Sequence, residues 1–593
     1  MKARSGSGRA IRVAGLGVLA GCTAGCVSLQ TSGPVTPVTQ AEGGGYSQIQ
    51  IWPSPPSASE EPDDLVTGFL QAARSGSANS GIANDYLTTA AQKQWKTDQK
   101  SVIVVTDGSQ GPPTPAGDPD ASIETVQADV VGVLDAHAEY SAQAQQQQQF
   151  SFGVTKTSAG YRISSLPENF GVVLQQSEFE SEYTMNDIYF ANAQQNSKLI
   201  SAQVYLPSTD TYQVIANKLT ALVLAGVPTR LGLAAVNGVN GATLKSLAFQ
   251  QNDAVQVTLA GKACSQPQAD CDGLALQLAT TLTADLHTKV GSVQVLDADD
   301  DASGQALGLS TDRAAKAEQV FMVAKDGQVE ALALNSGSTA AAPRPIQIGP
   351  AKSKFDLVAL QPGRHGSLAL TSQDGTHLYV VSQLPGTGEL HAVFNGTDIS
   401  SLNWDELGHL WFTAVSDGLT QVYRYADGNV EPVQVEGLAG EVSAIAVAPD
   451  GSRVAVSYES GADAYSLVVG TAVQQADESW MLQFDGAATV ADSWTQVLDF
   501  DWYNEDSLAV LGIPPGTAAS LRLYQLYADG SPVYDQLTQQ PVEANPVTDI
   551  QDVSWSEAGA PIATTKEGKL FELSVEGQDA QVLAAGPVYS PSY

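Results

Sequence analysis

Four cysteines, six histidines and a run of aspartates carry most of the chemistry open to this 593-residue chain. Cys264 and Cys271 are a close pair, which in an exported protein closes a small disulfide loop. They have no set of metal ligands around them. No further Cys lies downstream, and the nearest histidine is His287. His137, His287, His365, His377, His391 and His409 are scattered, and none stands in a His-Glu-x-x-His pair that could hold zinc. The chain has no Gly-x-Ser-x-Gly nucleophile elbow and no glycine-rich loop ending in Gly-Lys-Ser/Thr. Asp297, Asp299, Asp300 and Asp301 precede Gly304 and resemble a calcium loop. Counting from Asp299, however, the twelfth position is Ser310, where a bidentate Glu belongs, so a solvated acidic linker is the plainer expectation. No catalytic set, cofactor or metal is expected, and the chain reads as a binding protein.

The other two cysteines lie near the start. Lys2, Arg4, Arg9 and Arg12 form a basic head, Val13 to Ala20 is a short apolar run, and Leu19-Ala20-Gly21-Cys22 follows. That order is a secretory signal, and the run is far below the ~20 apolar residues that a membrane-spanning helix needs. Leu-Ala-Gly-Cys resembles the lipobox of bacterial lipoproteins, in which the thiol takes a diacylglycerol and the chain is cut before it. Thr23-Ala24-Gly25-Cys26 is a second site of the same kind. Leu19 favours Cys22, the longer apolar run favours Cys26, and one of the two is expected to carry the lipid. Two acyl chains suffice for a stable anchor.

Charge excludes one class of partner. With 28 Lys and Arg against 64 Asp and Glu, the net charge is −36. Such a chain repels nucleic acid and anionic lipid headgroups, so its hold on a membrane must come through the lipid.

The elements that position these residues read as a multidomain chain: two α+β domains followed by an all-β propeller. Residues 1–25 are the signal and 26–60 a Pro/Gly-rich tether. Residues 61–183 begin with helical spacing at Leu65, Phe69 and Ala72 and end in alternating strands, an α+β pattern. Gln145 to Gln149 is expected as a solvated hairpin between two of those strands. Residues 186–300 order as strand, strand, helix, strand, strand, helix, strand, with Ile215, Leu219, Leu222 and Val223 on one face of the first helix. Residues 314–588 repeat a large apolar residue, a polar turn and an alternating strand. The anchors are Val323, Leu370, Trp404, Val447, Trp502 and Trp555, spaced by 47, 34, 43, 55 and 53 residues. Repeats of that length predict a β-propeller of six blades, or seven given the uneven spacing. The three tryptophans are expected in the core between blades.

Several of these stretches resemble one family. Cys26-Val-Ser-Leu-Gln-Thr-Ser-Gly-Pro-Val35 is similar to the mature start of actinobacterial lipoproteins called LpqB, with Gln30 where the family has proline. Tyr161-Arg162-Ile163, Leu166-Pro167, Phe179 and Tyr183 resemble the end of that family's first domain. The stretch from Ile188 to Leu296 is similar to its GerMN domain through Tyr189-Phe190, Leu224-Ala225-Gly226-Val227-Pro228, Gln277 and Thr281-Leu282-Thr283. The resemblance implies a lipid-anchored protein on the extracytoplasmic face of the cell membrane. Its implied partner is the extracellular domain of a sensor kinase in an MtrA/MtrB-type two-component system. Two rival readings are a propeller hydrolase acting on cell-wall material, with paired carboxylates in its channel, and a small-ligand sensor.

Overall fold

The computed structural model describes residues 54–592, except 75–79, 96–100, 116–122, 169, 196–197, 240, 287–289, 308–318, 334–341, 351–352, 362–365, 383–388, 516–520, 534–542, 545–548, 557–558, 574–580 and 585–586. The expected signal, both lipidation cysteines and most of the tether lie outside the described residues.

The first domain opens with the helix Pro62–Arg74. Proline suits the first helical position because its missing N–H has no partner there, and Asp63 and Asp64 complement the positive end of the helix. Leu65, Phe69 and Ala72 are fully buried on one face. Phe69 meets Trp95, Phe152 and Phe170 at ring-centroid distances of 5.2, 6.3 and 6.2 Å, which fastens the helix to a sheet. The strand order in that sheet is Gly160–Ser165, Tyr140–Thr157, Ile123–Leu134, Ser101–Val105 and Phe170–Gln175. The last pair is parallel, so the sheet is not wholly antiparallel. The glutamine run is also placed differently from expectation. Gln146 to Gln149 pair with residues of Ile123–Leu134 inside one long strand, and the hairpin turn falls at 135–139. The strand tolerates them because its long backbone ladder needs no apolar side chain on an open face.

The central domain has two small sheets around a shared core. One joins Leu199–Pro207, Tyr183–Asn192 and Ala235–Val236. The other joins Leu244–Phe249, Ala254–Leu259, Ser292–Asp297 and Ser303–Leu307. Helices Tyr212–Ala225 and Cys271–Asp285 fill the space between them. Leu274, Leu278 and Leu282 are fully buried, each contributing about 1.5–3 kcal/mol. Asp270 caps the second helix by accepting from the Gly273 N–H at 2.8 Å. A disulfide joins Cys264 to Cys271 at the start of that helix.

The expected acidic linker is instead the hairpin between Ser292–Asp297 and Ser303–Leu307. Asp297 is buried and accepts from the Cys264 and Ser265 N–H groups. Asp300 accepts from Ser265 Oγ at 2.6 Å. These carboxylates hold the disulfide loop.

Among the described residues the last part is a propeller of six four-stranded blades, the third and fourth joined into one eight-stranded sheet by pairing of Asn429–Glu436 with Trp480–Trp494. The inner strands are Phe355–Leu360, Thr397–Trp404, Val442–Val447, Gln496–Trp502, Ile550–Ser556 and Val588–Ser592. Five blades take all four strands in sequence order. The first blade takes Gln319–Ala324, Val329–Ala333 and Arg344–Pro345 from its start and its inner strand from the C-terminal end of the chain. That closure leaves no open seam between first and last blades.

Two of the six repeat anchors belong to another strand slot. Val323 and Leu370 sit in second strands, whereas Trp404, Val447, Trp502 and Trp555 end inner strands or nearly so. The slots look alike in sequence because both turns need a residue at positive φ. Gly327, Gly375, Gly408 and Gly451 supply it at +82°, +65°, +90° and +70°. This slip explains the uneven spacing. Trp404 and Trp502 are buried between blades; the side chain of Trp555 lies outside the described residues.

Candidate functional site

The three domains meet along a seam. It is formed on one side by the central-domain strands Tyr183–Asn192 and Leu199–Pro207, and on the other by turns that follow inner strands of the third, fourth and fifth blades. Strand alternation points Ser201, Gln203 and Tyr205 the same way, toward the propeller. Arg453, at the start of the fourth blade's second strand, lies at the centre and is only 3% exposed. Its Nη2 donates to Asp450 Oδ2 at 3.2 Å, Asp506 Oδ1 at 3.3 Å and Ser201 Oγ at 3.3 Å. Ser201 also donates to Asp506. Tyr205 shares a 2.6 Å hydrogen bond with Ser531, whose hydroxyl donates to the buried Asp529. The first domain joins here too: Ala142 N–H donates to the Asp529 carbonyl at 3.4 Å, and Arg230 donates to the carbonyls of Tyr140 and Gln203.

This seam collects more carboxylates than cations. Burial pushes Asp285 up to about 7, assisted by the charge of Asp506, and pushes Glu505 up to about 7 by the same two causes. Asp187 is raised well above the carboxylate range by burial, then by Asp506 and Asp285, with Arg453 opposing. Asp187 Oδ1 and Asp285 Oδ2 are buried without a hydrogen-bond partner. A protonated carboxyl removes the charge that such a site cannot solvate.

Beside the network the seam opens into a cleft of about 550 Å³. Gln194, Gln195 and Lys198 line it from the central domain; Glu406, His409, Arg424 and Trp480 line it from the propeller. Lys198 and Glu406 form an ion pair across the domains at 2.9 Å. Asp405 is fully buried and accepts from the His409 N–H at 2.8 Å, His409 Nδ1 at 3.0 Å and Trp411 Nε1 at 3.0 Å. Gly451 of the next blade stands against that carboxylate; a Cβ there would lie 3.0 Å from Asp405 Oδ2. The Arg424 guanidinium lies over the Trp480 ring at 4.2 Å, a cation–π contact.

The inner strands bring a third group together. Asp356, Asp499 and Asp552 come from three of them, and burial raises all three, with Asp552 adding its charge at Asp356 and Asp499. The oxygens of Asp499 and Asp552 serve the ring. Asp499 Oδ2 accepts from Val553 N–H at 2.6 Å on the next inner strand, and Asp552 Oδ2 accepts from Thr564 Oγ1 at 2.9 Å and Ser590 N–H at 3.3 Å.

Among the described residues the structure does not gather the histidines. His137 is on an exposed turn 3.5 Å from Asp135, His377 bonds Thr376 and stacks on Tyr379, and His409 lines the cleft. His287 and His365 lie outside the described residues. Sequence reading missed Arg453, Arg424 and the seam carboxylates. The one signal in the chain was an arginine in each of two strands, between Tyr423 and Tyr425 in one and before Val454-Ala455-Val456 in the other.

Residues 55–180 match the family model described as "Lipoprotein LpqB, N-terminal domain", and residues 330–554 match "Lipoprotein LpqB beta-propeller domain". "Lipoprotein LpqB" of Streptomyces avermitilis is 27% identical over 629 aligned residues, covering 98% of this chain and 99% of that protein. "Lipoprotein LpqB" of Streptomyces coelicolor is 27% identical, covering 75% of this chain and 77% of its own. Among solved structures, TolB from Acinetobacter baumannii is similar at 12% identity and a TM-score of 0.36, covering 51% of this chain and 82% of that one. Both domain matches and a relative aligned along almost the whole length agree, and the chain belongs to the LpqB lipoprotein family.

Proposed function

We propose that this chain is anchored to the cell membrane by a lipid on Cys22 or Cys26, faces the extracytoplasmic side, and binds and modulates an envelope receptor rather than catalysing a reaction. The receptor is the extracellular domain of a sensor kinase of the MtrA/MtrB type. One observation carries the reading. The turns between second and third strands lie on the propeller face opposite the seam, and Asp326, Asp374, Asp417, Asp463 and Glu567 sit exposed in those turns on five blades. Repetition of an acid at one slot gives that rigid face an excess of acids over the bases Lys325, Lys566 and Lys569 of the same turns, the last paired with Glu567 at 3.1 Å, and so suits it to a basic patch on a partner. Anchoring in the partner's membrane raises the effective concentration of that face. A bound receptor is modulated to the extent that the face prefers one of its conformations. Asp499 and Asp552 favour this reading over a hydrolase, because their oxygens are engaged in clamping inner strands together.

The test uses the full chain in lipid nanodiscs and the purified extracellular domain of the kinase. Binding should weaken with salt and fall about ten-fold or more when Asp326, Asp374 and Asp417 are all changed to Lys. Absence of binding, together with unchanged kinase output on deletion of the gene, defeats the proposal. Separate Cys22→Ala and Cys26→Ala variants, followed by lipid labelling, identify the anchor; labelling that survives both means the single-anchor reading is wrong.

A further inference from the structure

The cleft beside the seam is lined by an arginine whose Nε has no hydrogen-bond partner in the protein. Arg424 has a side chain only 8% exposed. Its Nη1 is taken by Glu431 at 2.6 Å. Its Nε is buried with no hydrogen-bond partner. The Nε–Nη2 edge of a guanidinium is a planar fork that matches a carboxylate in two parallel hydrogen bonds. The plane is fixed from behind: Trp480 lies at 4.2 Å and Trp411 at 5.7 Å from the guanidinium carbon. Leaving a buried N–H of a charged group unpaired is costly, and the ordinary explanation is an occupant that pairs it.

The surroundings define that occupant. Lys198 and His409 also line the cleft wall. Asp405 holds His409 through Nδ1, so the ring presents Nε2 on its other side. Gln194 and Gln195 add side-chain amides, which donate and accept and so suit hydroxyl and acetamido groups. Arg424 and Lys198 each have one carboxylate beside them, Glu431 and Glu406, and Asp405 bonds His409. The cleft is therefore close to neutral within a protein of net charge −36, a place where an anion is not repelled at contact range. Its volume of about 550 Å³ admits a molecule of one or two sugar rings.

We propose that this cleft binds a small carboxylate-bearing sugar, its carboxylate docked on the Arg424 guanidinium and its neutral polar groups on the central-domain glutamines. The ligand would touch both domains and so reinforce the seam, independently of any receptor.

The experiment titrates the full-length chain in nanodiscs with N-acetylmuramic acid and, in parallel, with N-acetylglucosamine, which lacks the carboxylated ether but shares the ring and acetamido group. Calorimetry and tryptophan fluorescence are the readouts. The acid should bind at least about ten-fold more tightly than the neutral sugar. Arg424→Lys keeps the charge and loses the fork, and should remove about ten-fold or more of the affinity. Lys198→Met, at a half-buried bend, should weaken binding several-fold while its melting curve stays that of the parent, so the claim survives a misfolded Arg424 variant. The inference is overturned by no binding of the acid, by equal binding of the two sugars, or by full affinity in a folded Arg424→Lys chain. Competition by inorganic phosphate at equal concentration would mean that any oxyanion fits, and overturns the sugar assignment. None of these outcomes depends on whether a kinase binds the opposite face.

Discussion

Arg453 of the propeller and Ser201 of the central domain are joined at 3.3 Å through Nη2 and Oγ, with Asp450 and Asp506 bonded to the same nitrogen. One buried cation therefore ties two domains and two blades. Arg453→Met keeps most of the volume but leaves Asp450 and Asp506 facing each other without a counter-charge. Removing one partner of a buried pair typically costs about 3–5 kcal/mol. The expected result is a lower melting temperature and faster proteolysis between the central domain and the propeller, read by limited digestion. A variant melting within a degree or two of the parent would mean the seam is not held here.

The seam also fixes how stability depends on pH. Asp285 and Glu505 are each raised to about 7, and Asp187 is raised as well; the facing charges are Asp506, Arg453 and, for Glu505, Asp450. In the unfolded chain these carboxyls titrate near ~4. Between about pH 4 and 7 the folded protein thus holds more protons than the unfolded one, so stability falls as pH rises and levels off above 7. The double variant Asp285→Asn, Glu505→Gln carries no such protons. Its melting temperature should change less from pH 5 to 8 than the parent's, measured in one buffer series at fixed salt. Equal slopes in the two proteins would assign the pH effect to the general repulsion of a chain with net charge −36.

How far the sequence revealed these features varies with their range along the chain. The α+β units and the propeller were legible because strand alternation, helical spacing and turn chemistry are local. The blade phase was not, because the Asp326-Gly327 and Asp374-Gly375 turns and the Asp450-Gly451 turn use the same dipeptide in different strand slots. The closing strand Val588–Ser592 pairs with residues more than two hundred positions earlier, which no local pattern records. The same holds for the seam. Ser201, Arg453 and Asp506 are unremarkable polar residues until the fold brings them together. Asp297 and Asp300 read as solvated because a run of acids usually is, yet the neighbouring disulfide loop supplies N–H and hydroxyl donors for them.

Two tryptophans in one repeat slot allow a controlled comparison. Trp502 Nε1 donates to the Ala446 carbonyl at 2.9 Å, across the boundary between blades, whereas Trp404 Nε1 is buried without a partner. Replacing either by Phe removes the same atoms and leaves a similar gap. Only Trp502→Phe also breaks a hydrogen bond, a further ~1 kcal/mol. Trp404→Phe removes an N–H that was already unsatisfied. Denaturant titration should therefore rank Trp502→Phe as the more destabilised by about that difference; the reverse ranking would contradict the inter-blade bond.

The ring depends on its last strand more than on any other. Residues 588–592 pair with Phe321, Val323 and Ala324 of the first blade. Ser590 and Ser592 hydroxyls accept from Val358 and Leu360 N–H groups of the second blade at 3.4 and 2.9 Å, and Ser590 N–H reaches Asp552 of the sixth. Five residues thus bind three blades. Deleting 588–593 would leave Gln319–Ala324 as an open edge and uncover Val320 and Met322, both fully buried in the intact ring. An exposed apolar edge of that kind pairs with other chains. The truncated protein should lose cooperative unfolding of the propeller and aggregate on concentration, followed by light scattering and hydrogen exchange. Ser592→Ala is the milder probe. It leaves the Leu360 N–H without its acceptor and should lower stability by about 1–2 kcal/mol with the ring still closed. Full stability and an unchanged exchange pattern in the truncated chain would show that the first blade closes without its fourth strand.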